Sequence, residues 1–205
     1  MCMDYKKEII AVLDPMCSWC WGFEPVLEKL QEGLAQDTKL SLVLGGLRGK
    51  GDQVWDEEFR LYLKEHWKNV QLRTGQPFNG GLFDKEIFDY NTEPACRAVV
   101  TVRRLDEKKQ FSFFKALQKA FYKEAKDITS EDVIAKIAEE QGLDKKEFLA
   151  LFRSDKMKDQ TKDDSYKARS MGANSFPSLV FVDEEGHLCV LKGYRSFEKV
   201  KKFMN

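Results

Sequence analysis

Ile9-Ile10-Ala11-Val12-Leu13-Asp14-Pro15-Met16-Cys17-Ser18-Trp19-Cys20-Trp21-Gly22-Phe23 runs from branched apolar residues, through a turn at Asp14-Pro15, to two thiols at the head of an amphipathic segment. Lys7 to Leu13 has the length and composition of a buried strand. From Phe23 to Leu34 the apolar residues Phe23, Val26, Leu27, Leu30 and Leu34 recur at helical spacing. The amides at the start of a helix are unpaired and carry partial positive charge, so they stabilise a thiolate placed beside them. Cys17, expected on the exposed side of the turn, then reads as a nucleophile. Cys20, one turn further in, reads as the thiol that attacks the mixed disulfide formed on Cys17.

The same spacing suits half a zinc site or two inert buried thiols. A zinc site needs further Cys or His ligands at similarly tight spacing, and Cys2, Cys96, Cys189, His66 and His187 each stand alone. No metal is expected. His66 and His187 read as ordinary helix-face and strand-start residues, Cys2 as part of a frayed end, and Cys189 as a hairpin residue.

At 205 residues, 42% of them hydrophobic, the chain suits one domain or one domain with a sizeable insertion. Its 34 basic and 34 acidic residues cancel, which argues against nucleic acid or an anionic membrane as the main partner. The opening residues lack the apolar stretch and cleavage site of a secretory signal, and no later run approaches membrane-spanning length. The expected compartment is the cytoplasm, where a CxxC pair is catalytic more often than structural.

Outward from the thiols, Leu40 to Leu44 reads as a second strand ending at Gly45-Gly46, so the first part is a βαβ unit with a parallel pair. Helices are predicted over Glu57 to Gln71, Pro94 to Leu105, Phe111 to Ala125, Val133 to Gln141 and Lys145 to Phe152. The stretch from Leu72 to Asn91 is a long irregular connection of the kind that covers or binds something. The stripe Phe111, Phe114, Leu117 and Phe121 reads as core. The charge runs at 106–109, 144–147 and 155–167 read as solvated helix faces. A charged helix over Lys158 to Met171 leads to a strand Ser178 to Val182, a hairpin arm His187 to Leu191 and a last helix Ser196 to Phe203.

This order resembles the thioredoxin fold, and its helical insertion resembles the DsbA-type branch. Three local matches carry the resemblance, which spans the whole chain. Asp14 to Phe23 is similar to the active-site segment of cytoplasmic disulfide isomerases related to FrnE. Pro25 stands five residues beyond Cys20, as a helix-kinking proline does in thioredoxin. Phe176-Pro177 precedes the late strand where these proteins carry a cis-proline. The resemblance implies an α/β thioredoxin-like fold (βαβ … αββα) from 1–50 and 155–205, with an all-helical insertion domain over 51–154.

It also implies thiol-disulfide exchange with protein or peptide thiols, with Cys17 and Cys20 as catalytic residues. Phe176, Pro177 and Trp19 would contact substrate, the Phe176 backbone pairing with an extended chain across Cys17. No cofactor is expected beyond the redox pair, and glutathione is a candidate reductant. Trp19 brings no cation where DsbA has a histidine, so a less oxidising disulfide than DsbA's is expected. The family's buried acid, six residues before the nucleophile, is here Ala11. Asp14 reads as a turn residue and Glu24 as a first-turn helix acid. Trp21 and Phe23 suit either an aromatic rim with Trp19 or the core. Asn91 and Arg97 lie in a segment resembling one that approaches the active site in these families, and they suit a site role or a capped helix start with Cys96 buried.

Two other classes fit the architecture. Glutathione-dependent transferases or isomerases on small molecules generally carry a serine in place of Cys17 and need no second cysteine. A non-catalytic partner-binding module would use the insertion and the Leu72 to Asn91 stretch, with both thiols dispensable.

Overall fold

In the computed structural model, which describes residues 7–204, Lys7–Leu13 forms the strand β1. Cys2 lies outside the described residues. The helix α1 (Ser18–Glu32) follows, then β2 (Thr38–Leu44), which pairs in parallel with β1 from Lys7 opposite Thr38 to Leu13 opposite Leu44. After five helices, α2 (Glu57–Thr74), α3 (Glu93–Leu105), α4 (Gln110–Gln118), α5 (Glu131–Glu140) and α6 (Lys145–Phe152), comes α7 (Asp155–Ser170). The hairpin of β3 (Ser178–Val182) and β4 (Leu188–Lys192) and the short α8 (Phe197–Lys201) close the chain. The sheet order is β2-β1-β3-β4, with β3 antiparallel to both neighbours.

β1 is buried on both faces because strands alternate their side chains. Ile9, Ala11 and Leu13 join the larger core with Phe23, Leu27 and Leu30 of α1, while Ile10 and Val12 pack with Val43, Val180 and Ala168 of α7. The insertion helices do not close a core of their own. Trp67, Val99, Phe114, Phe121 and Phe148 belong to the same continuous cluster as β1 and α1.

An edge strand exposes unpaired backbone groups, and β2 has its edge covered by an ion pair. Arg103 of α3 binds Asp164 of α7 through two hydrogen bonds of 2.8 and 2.9 Å. The same guanidinium donates to the Leu42 carbonyl at 2.8 Å, and the same carboxylate accepts the Leu44 amide at 2.9 Å. Asp164 is therefore an exception within a charge run read as solvated.

Some boundaries differ from those predicted. α1 begins at Ser18, five residues before the first apolar residue of its stripe, because Cys20, Trp21, Gly22 and Phe23 are all buried and show no one-sided pattern. α4 stops at Gln118 and gives way to a π-turn over Lys119–Lys123. The Leu72 to Asn91 stretch begins with the last turn of α2, which ends at Gly75 in the left-handed conformation (φ 77°), and contains a 3-10 turn at Gly80–Asp84.

Candidate active site

β1 ends at Leu13, and the chain turns so that the Cys17 amide donates to the Asp14 carbonyl at 3.1 Å. Cys17 is the N-cap of α1, with extended backbone (φ −87°, ψ 116°), and its side chain makes no capping bond. The Cys17 carbonyl accepts the amides of Cys20 and Trp21 at 2.9 and 3.1 Å, so the helix is wound from Cys17 onward and Cys20 sits in its first turn. Both thiols are free. Contrary to the exposed position expected for it, Cys17 retains only 7% of its surface; Cys20 retains 1%. Burial pushes the Cys20 thiol well above its ordinary value, and the hydrogen bond and charge of Cys17 push the same way.

The Phe176–Pro177 peptide bond is cis, and the Cys17 thiol points at the Phe176 carbonyl, with Sγ 3.5 Å from the oxygen. Among the described residues the Phe176 amide has no backbone or side-chain acceptor. Pro177 is buried. The Phe176 ring lies on Gly45 at the exit of β2: a Cβ there would stand 1.9 Å from a ring carbon. Trp19 is half-buried between His66 and Tyr194, with ring centroids 6.1 and 5.7 Å away. Of the three aromatics considered for a rim around the thiols, it alone reaches the surface. Trp21 and Phe23 are core residues.

Asp14 is fully buried and is more than a turn residue. Its Oδ1 accepts the Met16 amide at 2.8 Å. Its Oδ2 accepts the Leu47 amide and the Thr92 hydroxyl, each at 2.8 Å, and the Cys96 thiol at 3.4 Å. One carboxylate thus ties the thiol turn to the exit of β2 and the start of α3. Burial raises its pKa above the usual 3.8, against the lowering effect of its four donors. Ala11, where the related families carry their acid, is core.

The segment at the start of α3 reaches the site through Thr92 and Cys96. Asn91 accepts the Glu93 amide at 3.1 Å, and Arg97 pairs with Glu93 at 3.1 Å and stacks on Phe152 at 4.2 Å. These contacts belong to the helix start and the neighbouring α6, and none of them is with Cys17 or Cys20. Glu24 is likewise no first-turn acid: with α1 starting at Ser18 it lies in the second turn, largely buried, paired with Lys115 at 2.6 Å.

The long connection covers this helix. Pro25 has no amide to offer the Trp21 carbonyl one turn back, and the Gln76 side chain donates to that carbonyl instead at 3.1 Å. The Trp21 indole donates to the Pro77 carbonyl at 3.0 Å, and the Tyr90 hydroxyl to the Met16 carbonyl at 2.8 Å. His66, read as an ordinary helix residue, packs against Trp19. Burial and the nearby Arg48 lower its pKa below the usual 6.5.

The family model described as Thioredoxin matches residues 11–202. The chain is 32% identical to a candidate protein disulfide isomerase from Nitrosomonas europaea, whose structure superposes with a TM-score of 0.85 over 97% of this chain and 95% of that one. It is 25% identical to the cytosolic disulfide reductase DsbM from Pseudomonas aeruginosa, with a TM-score of 0.77 over 90% of this chain and 89% of that one. A curated relative, the ClpXP adapter protein SpxH of Halalkalibacterium halodurans, is 26% identical in an alignment of 190 positions that covers 87% of this chain and 61% of the relative. The chain spans about three-fifths of the length of the curated relatives it matches. The DsbA-type architecture implied by the resemblance is the one that the solved neighbours share.

Proposed function

The chain belongs to the thioredoxin family, and on that premise we propose that it exchanges disulfides with protein or peptide thiols through Cys17 and Cys20 in the cytoplasm. The observation that carries the reading is the placement of Cys17. It caps a fifteen-residue helix, faces the Phe176 carbonyl at 3.5 Å and has a second thiol one turn behind it. The cytosolic DsbM neighbour supports the compartment. No helix of the described residues is long and apolar enough to cross a membrane.

In the reducing direction the Cys17 thiolate attacks one sulfur of a substrate disulfide. The substrate S–S bond breaks, a Cys17 mixed disulfide forms, and the other substrate sulfur leaves as a thiolate that takes up a proton. Cys20 then loses its proton and attacks Cys17 Sγ, giving the Cys17–Cys20 disulfide and the second substrate thiolate. Two electrons pass from the dithiol to the substrate, and two equivalents of a small thiol such as glutathione restore the pair. Oxidation is the reverse. In both, Phe176 and Pro177 seat the substrate chain, with the free Phe176 amide as a backbone donor, and Trp19 offers an apolar contact.

Cys17→Ser should abolish turnover of a model disulfide, and Cys20→Ser should accumulate mixed disulfides visible on non-reducing gels. Full activity in Cys17→Ser would end this reading. A second reading, a partner-binding adapter, is favoured by the name of the curated relatives and by the exposed Leu61, Tyr62 and Leu72 on α2. A Cys17→Ala/Cys20→Ala protein that kept the cellular role would favour it.

A further inference from the structure

An open cavity of about 510 Å³ adjoins Trp19, the residue between Ser18 and Cys20. Its apolar wall is made by Trp19, Tyr194 and Phe176, the residue whose carbonyl faces Cys17. The rest of the wall carries three cations from two distant parts of the chain, Arg73 at the end of α2 and Arg195 and Lys199 around the start of α8, and no carboxylate lines it. Among the described residues none of the three forms a salt bridge. Arg195 uses one nitrogen on the neighbouring Tyr194 carbonyl, at 2.9 Å, and leaves its remaining donors open. A chain of 34 basic and 34 acidic residues has no general excess of positive charge, so three unpaired cations around one cavity are a local arrangement. Each is exposed and solvated, which suits a long-range and salt-sensitive attraction more than a tight ion pair.

Building on the proposed exchange reaction, we infer that this cavity selects peptide disulfides whose cysteine is flanked by acidic residues. A chain that pairs with the Phe176 amide and presents its sulfur to Cys17 lies over the Trp19 and Tyr194 rings, and its neighbouring side chains then meet Arg73, Arg195 and Lys199. Carboxylates at those places are drawn to the site before the sulfur exchange and hold the chain there. Lysines are repelled.

The test uses the reduced full chain and three peptide disulfides that differ only in the flanking residues: Glu, Gln or Lys. Oxidation of the Cys17–Cys20 pair is followed by tryptophan fluorescence at one pH and low ionic strength. The Glu peptide should react about tenfold faster than the Lys peptide, with Gln between them, and the spread should collapse in high salt. Arg73→Glu/Arg195→Glu/Lys199→Glu should reverse the order, and Arg73→Gln/Arg195→Gln/Lys199→Gln should level it. Equal rates for the three peptides would overturn the inference, as would a preference that survives charge reversal. Glutathione disulfide separates the other source of carboxylates: if it outruns all three peptides while Glu and Gln react alike, the cavity serves a small acidic thiol and the peptide assignment fails. If none of the disulfides reacts, the exchange reading falls, and this inference with it.

Discussion

The Gln76 side-chain amide stands 3.1 Å from the Trp21 carbonyl, the oxygen that Pro25 leaves without a partner. The same nitrogen lies 3.3 Å from Glu24 Oε2, so one glutamine fastens the loop after α2 to the active-site helix at two points. A proline inside a helix is usually only a loss; here the freed acceptor fixes where the covering loop lies. Gln76→Ala should cost about 1–2 kcal/mol, because a partly buried carbonyl loses its donor. Hydrogen exchange should quicken near Gln76 and Trp21 and stay slow in β1 and β3. Uniform acceleration across the sheet would mean that the contact acts on the whole fold and does not position the loop.

Gly45 is set by the ring that lies on it. A methyl group there would sit 1.9 Å from the Phe176 ring, so Gly45→Ala must move Phe176, whose carbonyl faces Cys17. Overpacking of this kind costs about 1–3 kcal/mol, and the fold should survive it. Exchange activity should fall by more than the stability loss explains, and Gly45→Ala/Phe176→Ala should regain fold stability without regaining activity. Unchanged activity in Gly45→Ala would show that the position of Phe176 does not matter to Cys17.

Asp14 gives a pH dependence whose sign is fixed by burial. Its pKa in the folded protein is raised above 3.8, so the folded state holds that proton more tightly than the unfolded chain does. Its contribution to stability is therefore fully present below the ordinary carboxylate value and is lost as pH rises through the raised one. Denaturant unfolding of the wild type and Asp14→Asn over a pH series should show the wild type's margin over the variant shrinking as pH climbs above about 3.8. A margin that widened with pH would mean that the Met16, Leu47, Thr92 and Cys96 donors outweigh burial.

The strands β1 and β3 and the helix α6 could be read from the sequence residue by residue, because each is a short apolar or one-sided pattern bounded by strong turn or cap signals. The place of the thiol pair was equally legible, since the strand end and the helix start that flank it lie in two adjacent turns of chain. What surrounds the pair was not. Asp14 looks like a turn residue because its burial depends on Thr92 and Leu47, 78 and 33 positions away, and no local pattern announces such contacts. Arg103 and Asp164 hide in charged stretches for the same reason: their partner is the edge of β2, which exists only once the sheet is formed. The start of α1 was obscured by burial on every side, and the end of α4 by a π-turn that keeps the apolar spacing going without the α-helical ladder.

Cys20 determines how the reaction cycle responds to pH. In the reduced protein its thiol is pushed well above 9.0, first by burial and then by the hydrogen bond and charge of Cys17. When Cys17 is held in a mixed disulfide its charge is gone, but the burial remains, and Cys20 retains only 1% of its surface. Only the thiolate attacks. The resolving step should therefore quicken about tenfold per pH unit from neutral pH upward, following the thiolate fraction, with no plateau below about 9. Release of a fluorescent thiol from a mixed disulfide preformed on Cys17, timed over a single turnover at each pH, reads this step alone. A plateau near neutral pH would instead require a nearby group that takes the Cys20 proton. Asp14 is the acid whose charge acts on Cys20, pushing its thiol up, so Asp14→Asn should then shift the plateau. With the expected unbroken rise, the same substitution should leave the slope unchanged, because burial and no proton relay governs the thiol.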